Sequence, residues 1–277
     1  MTIVEYGPSR RVGVAELMGR VWGERPDEQE LEWFYERNPV RPASVLLAEE
    51  DDRVVGTVAI AFQRMAIGGE ELEVGMPLRV ATDPEYRGRG IFARLQAANE
   101  ERARELGLRL LLTVPNAASA PVFLERLGWK PLPSLRIWAR LKLWRGRLHA
   151  RTVDRLGSDA AAGDGGGDRV LRDPAWLNWR FAEAPRPYTL LAGDGYAVVG
   201  RRDRVAVVAA VQGDLLDDVA ATVRERALIA LPPPWEQRRY LRAGYVPTPR
   251  TLTLLGKSLG HAVPERPHFE LGDLDFL

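Results

Sequence analysis

The run Val80-Ala81-Thr82-Asp83-Pro84-Glu85-Tyr86-Arg87-Gly88-Arg89-Gly90-Ile91-Phe92 holds the residues of this chain best suited to chemistry. Gly88 and Gly90 let the backbone turn tightly and come close to a ligand. The apolar spacing from Ile91 onward predicts a helix, and the first amides of a helix point outward without intrahelical partners. Those amides, the positive end of the helix dipole and the cations Arg87 and Arg89 form a cradle for an anion, with a pyrophosphate the natural guest. The loop lacks the Gly-Lys-Ser or Gly-Lys-Thr of a Walker loop. The strands before it read as a meander, not as the parallel strand-helix-strand unit of a dinucleotide fold.

Other candidate residues have two readings each. Asn116 follows an apolar run, where Asn commonly caps a helix. Glu71 and Glu73 alternate onto one face of a strand, either lining an acceptor pocket as a base or simply solvated. Arg79, between Leu78 and Val80, either faces a cleft and selects an anionic acceptor or pairs with a glutamate across the hairpin. With no cysteine, disulfides, thiolate metal ligands and a Cys nucleophile are excluded. His149, His261 and His268 show no metal-ligand spacing, so neither a metal nor a Ser-His-Asp triad is expected. Lys+Arg number 39 against Asp+Glu 38, so no global field recruits nucleic acid or a membrane, and an anion site must be local. The opening MTIVEYGPSRR does not resemble a signal peptide, and no run nears the roughly 18 apolar residues of a membrane span, so the expected location is cytoplasmic.

These residues need elements to hold them. Thr2–Tyr6 reads as a strand, Val12–Trp22 as a helix, and Asp27 with Glu30 as the capping box of a second helix that Pro39 stops. Ser44–Glu49 and Val54–Met65 read as a hairpin, and Gly68-Gly69 turns the chain into a strand ending near Thr82. A long helix from Ile91 to Leu106, a buried strand at Leu110–Val114 and a helix from about Ser119 to Leu127 follow, stopped by Gly128. Strands at Trp129–Leu132 and Leu135–Leu143 close this half.

The loop in this setting resembles the signature of the Gcn5-related N-acetyltransferase (GNAT) superfamily: Arg or Gln, two residues, Gly, one residue, then Gly or Ala. Arg87, Gly90 and Phe92 occupy the three positions, and Asn116 and Leu127-Gly128-Trp129 extend the likeness over roughly residues 1–145. Phe92 departs from the small final residue; its side chain either points into the core or reshapes the pocket. The resemblance implies an α/β fold with a mixed, largely antiparallel sheet flanked by helices, the acyl-CoA N-acyltransferase type. It implies acetyl-CoA as acyl-donor cosubstrate, held by Val80, Ala81, Thr82, Arg87, Gly88, Arg89, Gly90, Ile91, Phe92, Asn116 and Ser119. The amides near Val80 and Ala81 would pair with pantetheine and polarise the thioester, and Glu73 and Asn116 are the candidate catalytic residues. The superfamily's usual Tyr acid is replaced by Leu124.

The second half repeats the grammar of the first. Leu31, Trp33 and Pro39 recur as Leu177, Trp179 and Pro185 at identical spacing. Leu111–Pro115 is echoed by Leu228–Pro232, and Leu124–Pro131 by Tyr240–Pro247. The expected organisation is a coenzyme-binding domain at 1–145, a linker at 146–168 around the Gly/Ala/Asp-rich Ser158–Asp168, and a shorter degenerate lobe of the same architecture at 169–277. In place of the cradle the second half has Gln212-Gly213-Asp214-Leu215-Leu216-Asp217-Asp218, whose carboxylates would repel pyrophosphate, so one coenzyme per chain is expected. Trp176, Trp179 and Tyr188 read as core seals or pocket walls, and the tail from His268 either folds back or frays. The expected function is acyl transfer to a primary amine of a small molecule or peptide, by a monomer or homodimer. The alternative is a non-catalytic acyl-CoA-binding or assembly protein.

Overall fold

The opening helical and meander patterns take the form the residue periods predict in the structure, a computed structural model that describes residues 1–142, 148–158 and 166–274. β1 (Thr2–Glu5) is followed by α1 (Arg11–Trp22), α2 (Glu28–Glu36), β2 (Ser44–Glu50), β3 (Arg53–Ile67), β4 (Glu70–Thr82), α3 (Ile91–Glu105) and β5 (Leu110–Thr113). Asp27 caps α2 by accepting the Glu30 amide at 2.7 Å, and Leu31, Trp33, Phe34 and Tyr35 form its buried face.

The chain divides into two units, the first made of Met1–Arg64, Leu72–Leu132 and Leu254–Val263. Its sheet runs β1-β2-β3-β4-β5, with Leu255–Ser258 antiparallel on the far side of β5. β5 lies parallel to β4, and β1-β2-β3 is antiparallel. Gly56 and Gly75 set how closely the layers approach. A Cβ on Gly56 would stand 2.9 Å from Ile91 and Leu95, so its absence lets α3 press onto β3. A Cβ on Gly75 would stand 2.7 Å from both Leu108 and Leu111. Ile60, Phe62, Leu111, Phe123, Trp129 and Leu255 form the core beside this contact.

Two elements differ from the expected ones. The helix expected from about Ser119 to Leu127 is present over 120–126 but takes π-type bonding at Val122–Arg126, and Gly128 follows with the anticipated left-handed φ of 65°. The two short strands expected after it are one, β6 (Lys130–Leu141). Pro131 and Pro133 lie two residues apart and therefore present their missing amides to the same side, so the strand runs through them. Leu143, its expected end, lies outside the described residues.

The second unit takes Met65–Glu71, Pro133–Thr253 and the residues from Pro264. It adds β7 (Arg151–Val153), β8 (Arg169–Val170), α4 (Pro174–Leu177), β9 (Thr189–Gly193), β10 (Gly195–Arg202), β11 (Val205–Gly213), α5 (Leu216–Thr222), β12 (Ala227–Ala230), α6 (Gln237–Arg242) and β13 (Val246–Ser258). Its sheet order is β13-β6-β12-β11-β10-β9-β7, and β8 pairs with Met65 and Ala66. The stretch read as a linker, 146–168, includes β7, while 146–147 and 159–165 lie outside the described residues. Trp176 and Trp179 are buried, with ring centroids 6.2 Å apart, and close the unit's core. Among the described residues no helix is long and apolar enough to cross a membrane.

Candidate active site

The site starts where β4 and β5 separate. Their ladder pairs Gly75 with Leu111, and the Thr113 hydroxyl then donates to the Pro77 carbonyl at 3.0 Å. β5 ends at Thr113, while β4 continues through Val80, Ala81 and Thr82 to the loop. Between these stretches Arg79 takes a left-handed φ of 49°, a conformation a long side chain rarely adopts. Its guanidinium is anchored by Glu30 of α2 at 2.8 Å and lies 4.1 Å over the Phe34 ring. Of the two readings of Arg79, the structure shows pairing with a glutamate, but on a helix instead of across the hairpin. These contacts hold the kink in place.

Asp83 fixes the far end of the strand. Its buried carboxylate pairs with Arg20 and Arg53, each at 2.8 Å, and accepts the Glu85 amide at 3.1 Å. Burial pushes its pKa up, but the amide and the two arginines outweigh burial and hold it below the usual carboxylate value. Pro84–Tyr86 then makes a single turn, and Gly88 and Gly90 follow with φ of 79° and 73°. An added Cβ on either would meet nothing within 4 Å, so backbone conformation and not crowding asks for glycine there.

α3 begins immediately after Gly90 with no side-chain cap, and its ladder opens with the Arg94 amide donating to the Gly90 carbonyl at 3.1 Å. The amides of Ile91, Phe92 and Ala93 thus precede the helix's own hydrogen bonding. A cavity of about 230 Å³ sits here, lined by Thr82, Tyr86, Arg87, Gly88, Gly90, Ile91, Phe92, Ala93, Val122 and Arg126. The two loop cations part company. Arg87 lines the cavity, whereas Arg89 pairs with Glu50 at 3.2 Å and lies 4.7 Å over the Tyr86 ring. Phe92 lines the cavity too, yet its ring stacks T-shaped on Phe123 at 5.4 Å and so is rooted in the core. Arg126, from the π-helical turn, is a cation at this cavity that sequence reasoning missed; nothing in its local pattern signalled it.

The remaining candidates scatter. The Asn116 side-chain oxygen accepts the amides of Ala118 and Ser119 at 3.0 and 2.9 Å and the Ser119 hydroxyl at 3.1 Å, which is a cap of the following turn. Glu73 pairs with Arg41 at 3.1 Å, and Arg41 in turn reaches the Leu106 carbonyl at the end of α3 remote from the loop. Val80 lies seven positions along the strand from Glu73, roughly 23 Å at the usual rise, so the structure does not bring Glu73 to the loop. Leu124 is exposed on the π-helical turn. Gly256-Lys257-Ser258 closes β13, and Lys257 bonds the Leu127 carbonyl and pairs with Glu100, so this tripeptide is no phosphate loop. Among the described residues no group of three His, Asp or Glu is placed to hold a metal.

An uncapped helix behind a glycine turn, beside a kinked strand that leaves its neighbour, is the architecture of the acyl-CoA N-acyltransferases, and solved structures share the fold. A conserved protein of unknown function from Enterococcus faecalis V583 aligns with a TM-score of 0.69 at 11% identity, covering 94% of this chain and 73% of its own. A GCN5-related N-acetyltransferase from Kribbella flavida gives 0.67 at 18%, covering 94% and 71%. Eis1 from Mycobacterium abscessus gives 0.62 at 14%, covering 94% and 74%. More particularly, residues 4–132 match the family described as acetyltransferase (GNAT) domain. No curated protein matches the chain.

Proposed function

We propose that the first unit binds acetyl-CoA, or another acyl-CoA, and transfers the acyl group to a primary amine of a small molecule or peptide. The observation that carries this reading is the uncapped start of α3 behind Gly88 and Gly90, opening on a cavity that Arg87 lines. There the free amides and the helix dipole would hold the pyrophosphate, with Arg87 in place of the two cations expected from the loop. The pantetheine arm would run along Val80–Thr82, where β5 no longer pairs with β4.

In the transfer, a Val80 or Ala81 amide donates to the thioester oxygen as the tetrahedral oxyanion develops. The neutral amine attacks the carbonyl carbon, the C–S bond breaks, and the proton the nitrogen then sheds is relayed through water to the departing thiolate, because Leu124 supplies none. The ammonium proton of the acceptor leaves to water.

The second unit reads as a degenerate copy without a coenzyme site, at work in a monomer or homodimer of the cytoplasm. What supports this is the shared order of its elements: β9-β10-β11, then α5, then β12 parallel to β11, as β2-β3-β4, α3 and β5 parallel to β4 in the first. The test is release of free thiol from acetyl-CoA across a panel of primary amines. Turnover that Gly90→Asp abolishes is the expected result. Tight coenzyme binding without turnover on any amine would favour the non-catalytic reading, which the apolar Leu124 already motivates.

A further inference from the structure

The segment from His268 to Leu274 is buried throughout, as a fraying tail would not be. It lies along β11, and three features define where. The β11–β12 ladder covers Val205–Val207, so β11 continues past it to Gly213 without that neighbour. β11 then carries an extra residue: Val198 of β10 faces Ala210 and Val199 faces Val208, leaving Ala209 unmatched. Two residues beyond this bulge, the Val211 amide donates to the Glu270 carboxylate at 3.0 Å. In the first unit Ala81 stands two residues beyond the kink at Arg79, on the strand that leaves β5.

The seat is built for the segment. A Cβ on Gly272 would stand 2.7 Å from the Ala209 carbonyl oxygen and 2.6 Å from the Phe181 ring, so only glycine lets the backbone lie against the bulge. Arg172 reaches both carboxylates: Asp273 through Nε at 2.9 Å and through Nη2, and Glu270 as an ion pair at 3.0 Å. Asp273 also accepts the Glu270 amide at 2.7 Å, and Arg180 donates to the Gly272 carbonyl at 2.9 Å.

We propose that this segment is a covalently attached occupant of the second unit's strand groove, lying where a pantetheine arm lies in a working copy and presenting a carboxylate oxygen to the amide a pantetheine carbonyl would use. The proposal rests on reading the second unit as a degenerate copy. It explains the loss of coenzyme binding there twice over: the acidic 214–218 stretch repels the diphosphate, and the groove is filled. It also makes the second unit independent of coenzyme for its structure.

The test is amide exchange at Val211 in the full chain, read by NMR or by fragment mass spectrometry, with coenzyme A titrated separately. Glu270→Leu is expected to speed exchange at 208–213 about tenfold or more, the loss of one charge-assisted hydrogen bond. Glu270→Gln keeps an acceptor oxygen and is expected to restore protection. Gly272→Val is expected to expel the segment and expose the same amides, while coenzyme binding stays at one equivalent in all three. Unchanged protection of Val211 in both Glu270→Leu and Gly272→Val would overturn the proposal, as would a second equivalent bound by the unaltered chain. A chain that binds no coenzyme but shows the expected exchange would sink the acyltransfer reading and leave the seated segment standing.

Discussion

At the scale of single residues, Gly90 concentrates the argument for the loop. Asp tolerates a left-handed backbone better than most side chains, so Gly90→Asp changes charge more than it strains the turn. It is expected to lower coenzyme A affinity by at least about a hundredfold, since it sets an anion against phosphate at close range, with thermal unfolding of the free protein nearly unmoved; calorimetric titration measures the first and scanning calorimetry the second. Arg79 makes a complementary case. Its side chain is 7% exposed and has Glu30 and Phe34 against it, so removing the carboxylate alone takes an anion from beside a cation largely shielded from water. Glu30→Ala should cost about 3 kcal/mol in urea unfolding, while Glu30→Leu combined with Arg79→Leu should cost less than the sum of the two single changes. A fully additive double mutant would show that the pair does not hold the kink.

Among elements, α3 and the loop before it were legible because their chemistry is written in residue types: two glycines, two arginines and an apolar helical period. The split role of the arginines was not, because Glu50 and Tyr86, which take Arg89, come from other elements. The kink in β4 was equally hidden. Arg carries no preference for a left-handed backbone, and the contacts that sustain it lie 49 residues back at Glu30. The tail was read as undecided because its burial depends on Arg172 and β11, far away in sequence. Its titrating groups give that element a pH signature. Burial, with Arg172 adding to it, lowers His268 from 6.5 to about 3, so its contribution is present above pH 6.5 and is lost as pH falls toward the folded value. Burial raises Glu270 from 4.5 to about 7, against Arg172 and with Asp273, so its contribution is present below pH 4.5 and is lost as pH rises through the folded value. Urea midpoints should therefore fall on both sides of mildly acid pH, with His268→Asn flattening the acid limb and Glu270→Gln the neutral one. Parallel profiles for the variants and the parent would refute this assignment.

For the molecule as a whole, a ligand that binds only the folded chain stabilises it by mass action, about 2.7 kcal/mol at a hundredfold excess over Kd. The melting temperature should climb with coenzyme A concentration in the parent and stay flat in Gly90→Asp. The recurrence of the Leu31, Trp33 and Pro39 spacing at Leu177, Trp179 and Pro185 is visible in sequence because spacing is a local property of the chain. Membership of the units was not, since nothing in Leu254–Val263 announces that it counts with the first unit, or in Pro133–Leu141 that it counts with the second. That membership bears on how the chain can be cut. Residues 4–132 are the stretch the acetyltransferase family recognises, yet an excised piece with those limits would lack Leu255–Ser258 and leave β5 an unguarded sheet edge of buried, uncharged residues, Leu110–Thr113. Such an edge is a template for aggregation. The piece is expected to elute as large assemblies on size exclusion where the full chain stays monodisperse, and a fragment design that respects the fold must carry the distant strand along.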